Sequence, residues 1–272
     1  MAKSANPWNY GIVILICLAT TTLLAIEPLK WLGWILLALA ALLNFVHNRL
    51  AAPFNRNLLV IIAMVALLGI IPINTTITYA HMLGMGAALA ATILIPYALS
   101  RRWLQGNPIT LPFSLGRRWY TKEIGYIALA AVGSYLIMPY YLGTTGSYLN
   151  WSVALDPGHI VRLFIGTNAL GIWDELFFVG VCLSLLRQYI PFWWANLAQA
   201  VMWTSFLYEL GFRGWGPLLI FPFALSQGYV FKTTKSLLYI ITVHLTIDFM
   251  LFLVLIHLHH PEHLRIFLTS PF

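Results

Sequence analysis

The sequence predicts an all-α protein, a polytopic transmembrane helical bundle, on three observations. Of its 272 residues, 60% are hydrophobic and only 8% are Asp, Glu, Lys or Arg, against about 45–50% and about 25% in soluble domains. Apolar runs near the roughly 20 residues that cross a bilayer recur about nine times along the chain. Lys and Arg cluster in alternate gaps between those runs, as the positive-inside rule expects of a multi-pass protein. So few charges cannot coat a water-soluble surface of this size, which excludes an ordinary cytosolic enzyme, a disordered chain and a nucleic-acid binder. The net charge of +7 therefore belongs to topology, not to an anionic ligand. Cys17 and Cys182 fall inside apolar runs, where a thiol behaves as a small hydrophobe, and no disulfide framework is implied.

The expected spans lie at residues 10–26, 31–46, 58–73, 77–99, 124–142, 160–186, 192–212, 217–231 and 236–257. The first follows Lys3 and lacks a small-residue cleavage site, so it reads as a retained helix rather than a signal peptide. The second and third flank a short gap with Arg49 and Arg56. The fourth carries His81 near Gly84, Gly86 and Ala88, small residues that suit close helix packing, and His81 reads as a packing histidine. A loop from Ser100 to Lys122 follows, rich in Arg, with Pro108 and Pro112. The fifth span ends at Tyr140 and Tyr141, the seventh opens on Trp193 and Trp194, and Trp215 precedes the eighth. All of these read as interfacial aromatics. Trp173 and Trp203 fall inside spans and read as core. With the N-terminus inside and the C-terminus outside, Lys3, Arg49, Arg56, Arg101, Arg102, Arg117, Arg118, Lys122, Arg187, Lys232 and Lys235 all lie on the cytoplasmic side. The expected organisation is a four-helix region (1–100), a basic cytoplasmic loop (101–122) and a C-terminal core (123–272).

Ionisable groups in hydrocarbon cost a few kcal/mol each, so they turn into the bundle and mark functional sites. In this chain they concentrate on two spans. Asp174 and Glu175 stand in the sixth, within IWDELFFVG, and His244 and Asp248 stand in the ninth, within VHLTIDF. His244 and Asp248 are four residues apart and share a helical face. Should the two spans pack together, three acids and an imidazole meet inside the membrane. Glu209 and Arg213 have the same spacing near the end of the seventh span, which allows a local ion pair. Polar groups also act as packing glue between membrane helices, for about 0.6 to 2 kcal/mol, and proton or ion transport uses the same inventory. Spacing alone does not separate a transporter from a hydrolase. The run His257, His259, His260, Glu262 and His263 reads as a solvated tail after the last span, because nothing in the sequence fixes its ligands in one geometry.

The stretch from Asp174 to Phe249 resembles the core of the CPBP family, the CAAX-protease and bacteriocin-processing intramembrane endopeptidases. That family's first motif, EExxxR, is followed by an apolar stretch, a basic residue and a new helix, and DELFFVGVCLSLLRQYIPFWWANLAQAVMWTSF follows this course. Its third motif, HxxxN or HxxxD after a short basic loop and Ser-Leu, is matched by KTTKSLLYIITVHLTIDF. The likeness covers roughly the last 100 residues. It departs at Asp174 in place of the first glutamate, at Val179 in place of the arginine, and in the second motif, FxxxH, where Phe206 is followed four positions later by Leu210.

The resemblance implies an intramembrane peptide hydrolase acting on a membrane-associated protein or peptide. Asp174 would be the general base, Glu175 its partner, His244 a ligand of the water or oxyanion, and Asp248 the group orienting His244. Phe178, Tyr208 and Glu209 would line the substrate side. No cofactor is implied, and no metal, since His244 alone supplies fewer imidazoles than a catalytic zinc site uses. Asp is one methylene shorter than Glu, and misplacing a reacting group by about 1 Å can lower a rate about 10²-fold. The alternative is a catalytically inactive relative that holds a partner protein as a scaffold or regulator. The expected location is a membrane, most simply the bacterial cytoplasmic membrane.

Overall fold

A computed structural model describes residues 7–47, 53–104, 107–114 and 116–271. Lys3 and Arg49 of the charge pattern lie outside the described residues. Those residues form nine long helices and no strand: α1 Pro7–Leu24, α2 Lys30–His47, α3 Pro53–Ile70, α4 Tyr79–Arg102, α5 Thr121–Thr145, α6 Pro157–Leu186, α7 Phe192–Leu210, α8 Pro217–Thr234 and α9 Leu237–His259. Seven are long and apolar enough to cross a membrane, the exceptions being α7 and α8. These two carry Asn196, Gln199 and Gln227, each with no exposed surface. Their polarity is spent against other helices, which lowers hydropathy without facing lipid. The chain is an integral, multi-pass membrane protein.

Local chemistry sets the ends of the site helices. Asp156 caps α6 by accepting from His159 N at 3.0 Å, with Pro157 at the first helical position, where its missing N–H is no loss. Ser236 caps α9 by accepting from Tyr239 N at 3.3 Å. Gly211 ends α7 at φ +119°, a conformation that a side chain resists, and its carbonyl accepts from Asn150 Nδ2 at 2.9 Å.

Helix α6 is the hub. Of its spanning window 72% is buried, against 22% for α2, α4 and α5, as befits a helix that is apolar all round. Trp173 joins it to α4 by donating to Leu89 O at 2.8 Å and Thr92 Oγ1 at 3.0 Å. A polar seam joins α7 to α8. Asn196 donates to Leu225 O and Gln199 to Ala224 O, both at 2.9 Å, while a Cβ at Gly228 would collide with the Asn196 amide. The α1–α2 hairpin is fastened to α7 by Thr21 and Ser205 hydroxyls 2.9 Å apart. The basic segment after α4 is strapped to the α8–α9 turn, with Leu237 N donating to Pro112 O at 2.8 Å and Arg117 to Thr234 O at 3.2 Å; Arg117 also pairs with Glu123.

Two expectations from local spacing are corrected. Glu209 pairs with Lys30, 3.1 Å away, rather than with Arg213, because the helix stops at Gly211 and the four-residue spacing no longer means one face. Tyr141 is not interfacial but 1% exposed, its hydroxyl donating to Arg213 O at 2.7 Å and its ring edge-on to Trp215. Tyr140, Trp193 and Trp194 are exposed.

A candidate active site inside the bundle

Adjacent residues of an α-helix point about 100° apart, so two neighbouring acids are both buried only on a helix surrounded by others. That is the position of Asp174 and Glu175, 1% and 0% exposed. At Glu175 the helix widens into a π-helical stretch, Glu175–Leu183, a local geometry that recurs at functional sites. Opposite them, α9 presents His244 and Asp248, 5% and 7% exposed. The two helices come this close because residue 171 is glycine. A Cβ there would strike the Asp248 carboxylate and press on the His244 ring.

The four groups converge on the imidazole. His244 Nδ1 lies 3.1 Å from Glu175 Oε1 and donates to that carboxylate. Nε2 faces the other way, 3.7 Å from Asp248 Oδ1 and 4.0 Å from Asp174 Oδ2. Glu175, rather than Asp248, therefore makes the hydrogen bond that orients the ring. A fifth residue completes the arrangement. Gln227 of α8 donates to Glu175 Oε1 at 2.5 Å and to Ile240 O at 3.1 Å. Both neighbours are acceptors, so the amide nitrogen must face them. Its sequence signal is an amide within an apolar run, of the same kind as the Asp and His signals but fainter.

Asp174, Asp248 and His244 line one cavity of about 280 Å³ between α5, α6, α7, α8 and α9. Glu175 lies behind them, away from the space. The opposing wall is apolar, from Leu207 and Leu210 of α7 to Leu219, Ile220 and Phe223 of α8. His244 is packed between Phe223, edge-on at 5.3 Å, and Trp203, tilted 30° at 5.5 Å. These rings exclude water from one side of the imidazole, where any charge interaction is stronger than in solvent. On each of Asp174, Glu175 and Asp248, one buried carboxylate oxygen has no hydrogen-bond partner among the described residues. Such oxygens cost free energy when buried, and two of the three, on Asp174 and Asp248, belong to residues that line the cavity, which marks a place suited to engage another polar group.

The remaining sequence candidates lie elsewhere. Phe178 is fully buried and stacks on Trp203 at 5.5 Å, one layer behind the cavity. Tyr208 and Glu209 do not line the space, and α7 turns leucines to it instead. Among the described residues lining it, His244 is the only imidazole. His81 borders a different cavity of about 290 Å³, on the far side of α6. Among the described residues, the group spaced to hold a metal ion is His260, Glu262 and His263, beyond α9.

Residues 156–250 match the family model described as type II CAAX prenyl endopeptidase Rce1-like. The matched segment runs from the cap of α6 to Met250 in α9 and holds all four converging residues together with Gln227. This part of the chain is thus similar to the CPBP kind of intramembrane protease. No curated protein and no solved structure matches the chain.

Proposed function

We propose that the protein is an intramembrane endopeptidase that hydrolyses a peptide bond of a membrane-associated protein or peptide through a catalytic set altered from the family pattern. The observation that carries this reading is the convergence of Asp174, His244 and Asp248 on a single cavity within the bundle. In this reading Asp174 takes a proton from a water in the cavity as the water oxygen bonds to the scissile carbonyl carbon. The carbonyl oxygen takes up negative charge, and His244, as an imidazolium with a proton on each nitrogen, donates from Nδ1 to Glu175 and is positioned to donate from Nε2 to that oxygen. Collapse of the intermediate breaks the C–N bond, and the leaving amine recovers the proton from Asp174. Asp248, on the same Nε2 side of the imidazole as Asp174, accepts the water's other proton in a hydrogen bond. Glu175 and Gln227 act at one remove, holding the ring rather than touching substrate. General acid–base transfer contributes about 10²–10⁴-fold, and a donor preset for the oxyanion about 10²–10³-fold. The basic residues gathered on one set of loops support an N-in, C-out orientation, and a bacterial cytoplasmic membrane is the proposed location.

The test compares membrane-peptide profiles of cells with and without the protein, followed by cleavage of whichever peptide changes. Asp174→Asn, Glu175→Gln and His244→Ala are each expected to abolish that cleavage. Identical profiles would overturn the reading. A second reading, an inactive relative that holds a partner in the same cavity, is favoured by one observation: α7 offers Leu207 and Leu210 to the cavity and no second imidazole. It requires partner binding to survive all three substitutions and to fail when Leu210 or Phe223 is replaced by a charged residue.

A further inference from the structure

Past α9 the chain turns sharply and folds back along α5. His263 N and Leu264 N both donate to His260 O, at 3.0 and 3.4 Å, and the returning tail is held by Tyr135 Oη donating to Ile266 O and Thr269 Oγ1 to Leu136 O, each at 2.6 Å. The turn is therefore fixed at both ends. His260 Nε2 lies 3.1 Å from Val153 O, a carbonyl that can only accept, so Nε2 carries the proton and the neutral ring offers its lone pair at Nδ1. This is how a protein orients a metal-binding imidazole, by tying the other ring nitrogen to a backbone carbonyl. That Nδ1 is 3.6 Å from Glu262 Oε1, and His263 Nδ1 is 2.9 Å from the same oxygen. Two donors each about 2.0–2.1 Å from a tetrahedral zinc ion stand about 3.3 Å apart. The observed spacings bracket that value.

We propose that His260, Glu262 and His263 form a three-ligand site for a borderline divalent cation, with zinc as its type. Two imidazoles and one carboxylate suit zinc and not magnesium, which prefers an all-oxygen shell. Glu262 and His263 are each more than half exposed, so the fourth position is open to water. The sequence alone read this run as a solvated tail for want of fixed geometry. The turn and the Val153 carbonyl supply it. Bound metal would fix the His260 ring whose Nε2 hydrogen-bonds Val153 O, and so steady the tie between the turn after α9, which carries His244 and Asp248, and the segment leading into α6, which carries Asp174 and Glu175.

The experiment uses full-length protein purified in detergent without a polyhistidine tag, stripped by chelator and titrated with zinc chloride against a chromophoric chelator. One equivalent of zinc and a raised unfolding midpoint are expected, with no response to magnesium chloride. Glu262→Gln and His263→Ala should each weaken zinc binding by more than about tenfold, since loss of even an outer-shell partner costs about 10–100-fold, and leave the metal-free midpoint unchanged. In the unaltered chain, zinc should protect His260 and His263 from an imidazole-modifying reagent read by mass spectrometry. Less than half an equivalent bound, binding unchanged in both variants, or equal modification with and without zinc would each overturn the proposal.

Discussion

Helix α6 separates two cavities of nearly equal size, about 280 and 290 Å³, that differ in everything chemical. Both touch Trp151, Thr167 and Leu170. One takes Gly171 and Asp174 from α6, with His244 and Asp248 opposite. The other takes Gly166, Ala169, Trp173 and Leu176 from the same helix, with Ile93 and Met85 of α4 opposite and His81 at its margin. These two sets follow the three- and four-residue spacing of separate helical faces. Trp173 and Asp174 are neighbours in sequence and stand on opposite sides of the wall. The lesson is that space does not make a site: a cavity can form wherever helices pack imperfectly, and among the described residues it is the face shared by α6 and α9 that gathers two acids and an imidazole on one wall.

The sharpest way to break this contrast is to exchange chemistry at equal shape. Asp174→Asn keeps the volume and removes the base, and cleavage of a substrate peptide in detergent should fall by at least about 10²-fold. His81→Ala, across the wall, should leave the rate at the wild-type value. A rate equally sensitive to both would mean that the charged cavity is not where chemistry happens.

A smaller effect separates the two faces of α6 by packing. Gly171→Ala drives a methyl into the Asp248 carboxylate, and overpacking of this kind costs about 1–3 kcal/mol. Gly166→Ala meets nothing nearer than Ile77 Cγ2 at 3.7 Å, so it should be neutral or stabilising by up to about 1 kcal/mol through helix propensity. Thermal unfolding in detergent reads both, and the order of the two midpoints is the test. Trp173→Phe removes the indole donor to Leu89 O and Thr92 Oγ1. A lost hydrogen bond is worth about 1 kcal/mol, and more if the abandoned acceptors stay dry, so the midpoint should drop while cleavage of folded protein is unaffected. The smallest change lies outside both cavities. Lys30→Ala breaks the pair with Glu209, in which the lysine side chain is 42% exposed, and such pairs contribute about 0–1 kcal/mol. Its effect should shrink further when salt is added during the melt.

Much of this was legible in the chain itself. Composition fixed the solvent as lipid, and the unbroken apolar stretches located the helices, because both signals are local and add up over some 20 residues. The conspicuous Asp174, Glu175, His244 and Asp248 were legible for the same reason, since charge in an apolar stretch is costly anywhere along it. Gly171 and Gln227 were not. A glycine in a membrane helix has many uses, and an amide is a weak signal until its neighbours are known to be Glu175 and Ile240. Glu209 misled because its four-residue spacing to Arg213 assumed a helix that Gly211 terminates.

What the sequence alone determined is therefore the medium, the helices and the four ionisable groups. Tertiary structure alone decided that α6 and α9 face each other across Gly171, that Glu175 rather than Asp248 hydrogen-bonds the imidazole, that α7 presents leucines to the cavity, and that the tail turns back to bring His260, Glu262 and His263 together. The physical reason is that a helix apolar on every side carries no moment to say which way it points. Its orientation is set by partners far away in the chain, through contacts that no short window contains.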